Sequence, residues 1–171
     1  MGKDTQKTTI LREFSSGGAV FKKEGSKILW LVAKNNPSQL YPKDIWRLQK
    51  GWMDDGKNGN FPGPISSGEI KATEEDLQKG ALREVREEGG VVAKIIKKIG
   101  TSKHFINSTR GRVMKFVTYY LMEYVKDAPE GFGFETIKVK WLPTDEAVNQ
   151  ITYSNEKRIL KEASELLASV V

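Results

Sequence analysis

The chain has 171 residues, enough for one domain with a sizeable core, and it carries no cysteine and a single histidine, His104. That excludes disulfides, zinc-thiolate centres and cysteine nucleophiles, and it argues against histidine-rich metal sites and Ser/His/Asp triads. A formal charge of +6, with 29% charged and 38% hydrophobic residues, describes a soluble globular chain that attracts polyanions, not a disordered one.

The first residues, Met1 to Gln6, are polar and lack an apolar signal core. Gln6 also breaks the myristoylation pattern, which wants Ser or Thr there. No apolar run approaches membrane-spanning length, so the expected location is the cytoplasm, with no membrane partner. Residues 1–14 read as a flexible polar arm, followed by a single domain over 15–171. Ser15 to Phe21 is a predicted strand. Glu24-Gly25-Ser26 is a turn, and Lys27 to Ala33 is a second, more buried strand, which makes a hairpin. Asn35 to Asp44 is a loop with prolines at 37 and 42. Ile45 to Gly51 is a short strand running into a glycine turn, where the backbone at Gly51 can approach a ligand closely. Residues 54–72 are rich in Gly, Pro, Ser and Asn and form a long loop, expected as a mobile flap beside the site. Phe61 and Ile65 are its candidates for pinning the loop or touching a base.

A helix follows, with Thr73 or Asp76 as its N-cap and Gly89-Gly90 as its stop. Leu77, Ala81 and Val85 recur every four residues, and Gly80 points to close packing. Glu84, Glu87 and Glu88 stand at i, i+3 and i+4, all on one flank. Like charges at that spacing repel by about 0.2–0.5 kcal/mol per pair. The helix dipole disfavours them further in the last turn. A divalent cation reverses both penalties. Hard oxygen ligands on a rigid element suit Mg²⁺, with Mn²⁺ as the alternative.

Beyond the helix, Val91 to Gly100 reads as one or two strands, extended by Ser102 to Phe105. Val113 to Val125 is the longest strand candidate, β-branched and aromatic throughout. Thr136 to Leu142 alternates as another strand. Thr144 starts a short helix, and Ser154 to Val170 is an amphipathic helix with Ile159, Leu160, Ala163, Leu166, Leu167 and Val170 along one stripe. Strands, helix, strands, helix predicts an α/β protein in which a mixed sheet is layered between helices.

Glu75, seven residues, then Arg83-Glu84-Val85-Arg86-Glu87-Glu88-Gly89-Gly90-Val91 resembles the second half of the Nudix box, the signature of the Nudix hydrolases. Lys50-Gly51-Trp52-Met53-Asp54-Asp55-Gly56 is similar to its opening turn. Lys57 stands where the family has its first Glu, so the likeness implies an insertion after Gly56. Glu69 is a second candidate for the displaced Glu. The resemblance covers roughly residues 15–168 and implies the α/β/α sandwich of that family. It implies that Glu84, Glu87, Glu88 and the Gly51 carbonyl hold metal. It also implies that Arg83 pairs with Glu75 and orients Glu87, and that Lys50 faces substrate phosphate. Some members take a general base from a loop outside the box. Glu135 is the candidate here, Glu130 the alternative, and a box glutamate such as Glu87 or Glu88 the third.

Lys103, Arg110 and Arg112 are candidates to grip distal phosphates, Arg being the better bidentate donor. Trp46, Phe105 and Tyr153 are candidates to stack a base, and His104 to touch substrate. The resemblance implies Mg²⁺-dependent hydrolysis of a phosphoanhydride in a nucleoside diphosphate linked to another moiety, first among them a dinucleoside polyphosphate of the diadenosine tetraphosphate type. Oxidised nucleoside triphosphates, ADP-ribose and triphosphorylated RNA 5′ ends stay open. Nucleic acid enters only as such a 5′ end, because no base-stacking RNA motif is present. A Nudix-fold binding module without catalysis is the remaining class. Oligomeric state is not readable from the residues.

Overall fold

A computed structural model describes residues 10–37, 44–56 and 59–170 of the chain. The elements are β1 (Leu11–Glu24), β2 (Lys27–Asn35), β3 (Trp46–Arg47), β4 (Gln49–Trp52), α1 (Glu74–Gly89), β5 (Val91–Ser108), β6 (Gly111–Asp127), β7 (Thr136–Pro143), α2 (Thr144–Gln150) and α3 (Ser154–Val170). The strands form one mixed sheet in the order β3-β2-β1-β6-β5, with β4 paired to β1 and β7 paired to β2. β1 is the hub. It runs antiparallel to β2 and to β4, and parallel to β6 from Leu11 opposite Val113 to Phe21 opposite Glu123.

Alternation along β1, β2 and β6 sends successive side chains to opposite faces, and each face buries its own cluster. Ala19, Phe21, Trp30, Val32, Val117, Tyr119 and Leu121 pack against Ala147 and Ile151 at α2 and Ile159, Leu160, Ala163 and Leu167 of α3. Val20, Leu31, Tyr120 and Met122 pack against Ala81 and Val85 of α1. Each Val, Leu, Ile, Phe or Met side chain among them contributes about 1.5–3 kcal/mol when fully buried. The result is the expected α/β/α sandwich. The Trp30 indole N–H donates to Thr144 Oγ1 at 2.9 Å, fixing the entrance of α2 to the sheet.

Thr73 caps α1 in a capping box with Asp76. Glu74, Glu75 and Asp76 fill the first turn, where the dipole welcomes them. Gly90, in the left-handed conformation, ends the helix. A Cβ at Gly80 would lie 2.7 Å from Ser16 Oγ and 2.9 Å from Met53 Cγ, so this glycine does permit close packing of α1 on β1 and on Met53 just after β4.

Some elements differ from expectation. β1 begins at Leu11, so residues 11–14, assigned to the arm, are strand; residues 1–9 lie outside the described residues. Parallel pairing with β6 supplies partners that a polar arm would lack. The one or two strands after α1 are a single β5 of 18 residues, kept continuous with β6 by three register shifts. The inserted loop, expected as a mobile flap, is tied down over its described part. Phe14 N donates to Ser66 O at 2.7 Å, while Ile65 N and Ser66 N donate to the two Asp54 carboxylate oxygens at 2.9 and 2.7 Å. Met53 N donates to Ser66 Oγ at 2.8 Å, and Asp55 bridges Pro62. Asp54→Ala orphans two backbone N–H groups. It is expected to cost about 1–3 kcal/mol and to open the loop to limited proteolysis, read by peptide mapping. Lys57 lies outside the described residues.

Candidate active site

A cleft of about 450 Å³ opens beside the last turns of α1. Helix periodicity puts Glu84, Glu87 and Glu88 on the flank that faces it. β4 supplies Lys50, Gly51 and Trp52, the inserted loop supplies Asp55 and Gly59, and the β6–β7 loop supplies Gly133, Phe134 and Glu135. Arg47, Ser15 and Lys115 complete the lining.

The three glutamates are not equivalent. Glu84 and Glu88 are buried, at 8% and 4% exposure, whereas the Glu87 side chain is 60% exposed. Burial, then the charges of Glu88 and Glu87, push the Glu84 carboxyl up to about 8. Burial likewise raises Glu88 to about 7, although Arg47 lies 3.1 Å from it and Lys50 N donates to it at 3.1 Å. Gly51 is cut to fit this cluster. A Cβ there would lie 2.4–2.6 Å from the Glu84 carboxylate atoms.

Arg83 departs from its expected partner. Glu75 pairs with Lys79 at 2.8 Å on the solvent side, about two and a half helical turns before Glu84. The Arg83 guanidinium instead donates to the carbonyls of Met53 and Trp52, so it clamps the Lys50-Gly51-Trp52 turn to α1. It also approaches Glu84 at 3.5 Å and Glu87 at 3.9 Å. Glu69 is exposed on the inserted loop.

Cations line the same cleft. Lys115 is largely buried, and burial together with the neighbouring Lys50 charge lowers its pKa. Two ammonium groups held within reach of one another leave an electrostatic deficit that a bound anion removes. Buried Glu13 fixes their surroundings: it pairs with Arg110, lies 3.6 Å from Lys115 and accepts the Trp52 indole N–H at 3.3 Å. His104, opposite Lys115 in the β5–β6 register, has its pKa lowered by burial and by Lys50 and Lys115. Its buried Nδ1 has no hydrogen-bond partner among the described residues.

Glu135 lines the cleft, close enough for its charge to raise Glu88. Glu130, the alternative base, forms a bidentate pair with Arg86, and that hydrogen bonding lowers it to about 2. Such a carboxylate is a poor proton acceptor. Lys103, Arg112 and Tyr153 fall outside the cleft lining. Lys103 is exposed on β5, and the Arg112 guanidinium sits 4.2 Å from the Phe105 ring centroid, on the edge of the sheet. Arg110 stands over the half-exposed Phe61. Tyr153 lines a separate space of about 40 Å³ with Arg47, Lys50 and Glu156. Trp46 lies beneath the Lys140 ammonium and against the α3-side core.

Sequence reasoning missed Arg47, Lys115, Glu13 and Phe134. Lys115 left a signal, because Val113 and Val117 beside it on the same strand face are fully buried. A lysine in that alternation must answer a carboxylate or a ligand.

A metal ion fits this donor set by chemistry: two buried carboxylates raised by desolvation, a third at the rim, and a glycine cut to the carboxylate beside it. Among the described residues no three acids or imidazoles converge as a ready-made cage. Arg47 and the Lys50 amide draw Glu88 aside, while Glu87 points outward.

Comparison with known proteins agrees with the geometry. The chain is 29% identical over 158 residues to a Mycobacterium tuberculosis protein named "Putative mutator protein MutT4"; the match covers 92% of this chain and 56% of that relative's length. Its fold is similar to that of a C. elegans Ap4A hydrolase in a binary complex, with TM-score 0.62 and 19% identity over 92% of this chain and 98% of that one. It is also similar to the NUDIX domain of Shewanella oneidensis NrtR complexed with ADP ribose, with TM-score 0.62 and 17% identity over 95% and 92% of the two chains. Among the described residues no helix is long and apolar enough to cross a membrane. The family model for the NUDIX domain matches residues 19–163, and the chain belongs to that family.

Proposed function

We propose that this cleft hydrolyses a phosphoanhydride bond in a nucleoside diphosphate linked to another moiety, with a dinucleoside polyphosphate as the preferred substrate. The observation that carries the reading is that one cleft is lined both by acids, Glu84, Glu87 and Glu88, and by cations, Arg47, Lys50 and Lys115. A polyphosphate needs both. The cations balance its charge, and the acids gather the divalent ion that such chemistry uses.

Glu84, Glu87, Glu88 and the Gly51 carbonyl would hold that ion, Mg²⁺ or Mn²⁺, which supplies Lewis-acid neutralisation of phosphate oxygens. The protein's own groups do the rest. Lys50 and Lys115 grip the phosphates that flank the scissile bond. Arg83 keeps the Gly51 turn against α1. Glu135 accepts a proton from the attacking water, an effect typically worth about 10²–10⁴-fold. The three basic side chains favour a substrate with several phosphates. ADP-ribose is the second reading, supported by the likeness to a NUDIX domain that binds it.

The test is turnover of diadenosine tetraphosphate, an oxidised nucleoside triphosphate, ADP-ribose and triphosphorylated RNA with Mg²⁺ or Mn²⁺, followed by chromatography of products. Diadenosine tetraphosphate is expected to give the highest kcat/KM. A higher value for another compound reassigns the substrate. Tight binding with no turnover of any compound, under either metal, makes the protein a binding module.

A further inference from the structure

Phe134 is the most exposed large hydrophobic residue among those described, at 85%, and it stands on the rim of the cleft. Its backbone is held on both sides. Gly133 N donates to Glu87 O at 2.7 Å, which fastens the loop to the carboxylate helix. Asn36 Nδ2 donates to Phe134 O at 3.0 Å and Asn36 N to Glu135 O at 2.8 Å, which fasten it to the end of β2. The ring is therefore presented to solvent by a braced loop and is not left there by a loose one. The other aromatic residue in the lining, Trp52, has its indole N–H engaged by Glu13. The remaining lining is charged, polar or glycine. A ligand that fills the cleft thus needs a polyanionic part for the walls and one flat apolar part for the rim.

We infer that Phe134 is the platform on which the nucleobase of the substrate stacks, so that it selects nucleotides over base-free polyphosphates at this site. This rests on the polyphosphate reading of the cleft. A ring serves any base, because every base offers a π face, so the platform confers nucleotide selection with little discrimination among bases.

The experiment is calorimetric binding of two non-hydrolysable probes in Mg²⁺: α,β-methylene-ADP, which has a base, and methylenediphosphonate, which has none. For Phe134→Ala, the Kd of the nucleotide probe is expected to rise about 5- to 100-fold, the range of one base–aromatic stack, while that of the base-free probe moves less than about twofold. Phe134→Trp is expected to restore nucleotide affinity and Phe134→Leu to restore little of it. The indole at position 134 is expected to lose fluorescence on binding the nucleotide probe alone. Equal loss for both probes, no loss for either, or full rescue by Leu overturns the assignment. So does a change confined to the sedimentation coefficient, which would make the ring a contact between copies. Because neither probe is cleaved, a failure of hydrolysis and a failure of the platform are read separately.

Discussion

Glu87→Gln is expected to lower kcat by at least about 100-fold on whichever nucleotide the wild-type chain turns over, with Mg²⁺ saturating. The expectation comes from position. Glu87 is the most exposed of the three box carboxylates that line the cleft, with 60% of its side chain exposed, and Arg83 is held 3.9 Å from it. The substitution leaves only a neutral amide oxygen in place of an anionic ligand and removes any proton acceptor at that point. The same exposure predicts that folding survives. Glu87 adds to the repulsion that raises Glu84, so the metal-free variant is expected to unfold at the same temperature as the wild type or slightly above it. Steady-state kinetics beside a thermal melt separates the outcomes. A variant that unfolds assigns Glu87 to the scaffold, and one that keeps full activity moves the chemistry elsewhere.

The second large effect is on stability against pH in the metal-free protein. Glu84 and Glu88 have folded-state pKa values raised from 4.5 to about 8 and about 7, first by burial. The folded chain therefore holds protons that the unfolded chain has released above about pH 4.5. Their contribution is fully present below that value and is lost as pH rises through 7 and 8. Glu156, raised by burial in the first turn of α3, adds to the same slope. A loss of a few kcal/mol is on the scale of such shifts, which for a chain of this size lowers the melting temperature by roughly 10 °C. Melts in chelator between pH 5.5 and 8.5 measure it. Glu88→Gln is expected to flatten the curve, and Mg²⁺ at pH 8.5 to recover part of the loss. A melting temperature that stays level or climbs over that range would show that these carboxyls are ionised without difficulty in the empty protein.

The sandwich was legible because its signals were local. Leu77, Ala81 and Val85 declared a helix, and the alternation around Ile137, Val139 and Trp141 declared a strand. The acid half of the site was legible for the same reason, since Glu84, Glu87 and Glu88 lie within five residues of one another. The cation half was not, because it is assembled by tertiary pairing. Lys115 is placed by the parallel register of β6 with β1, and its partner Glu13 was hidden because β1 starts earlier than its polar neighbours suggested. Arg47 belongs to a two-residue strand too short to carry a period. The Arg83 partner was misread because the insertion separates Glu75 from the turn it would otherwise join, and the backbone carbonyls that replaced it leave no mark in side-chain sequence. Composition alone suggested freedom for the Gly/Pro/Ser-rich loop; Asp54 and Ser66 bind it through contacts that no pattern announces.

The parallel marriage of β1 to β6 also sets a timetable. As the chain leaves the ribosome, β1 emerges well before β6 and zips onto β2 within one short hairpin, Phe21 finding Trp30. Its other edge must wait for Val113 to Glu123, and closing so long a loop is slow. Until β6 has been made, that edge is an open template for a neighbouring nascent chain. A product truncated before Gly111 should therefore precipitate, not fold, and chaperones that cover bare strand edges should matter more to the birth of this protein than to its working life.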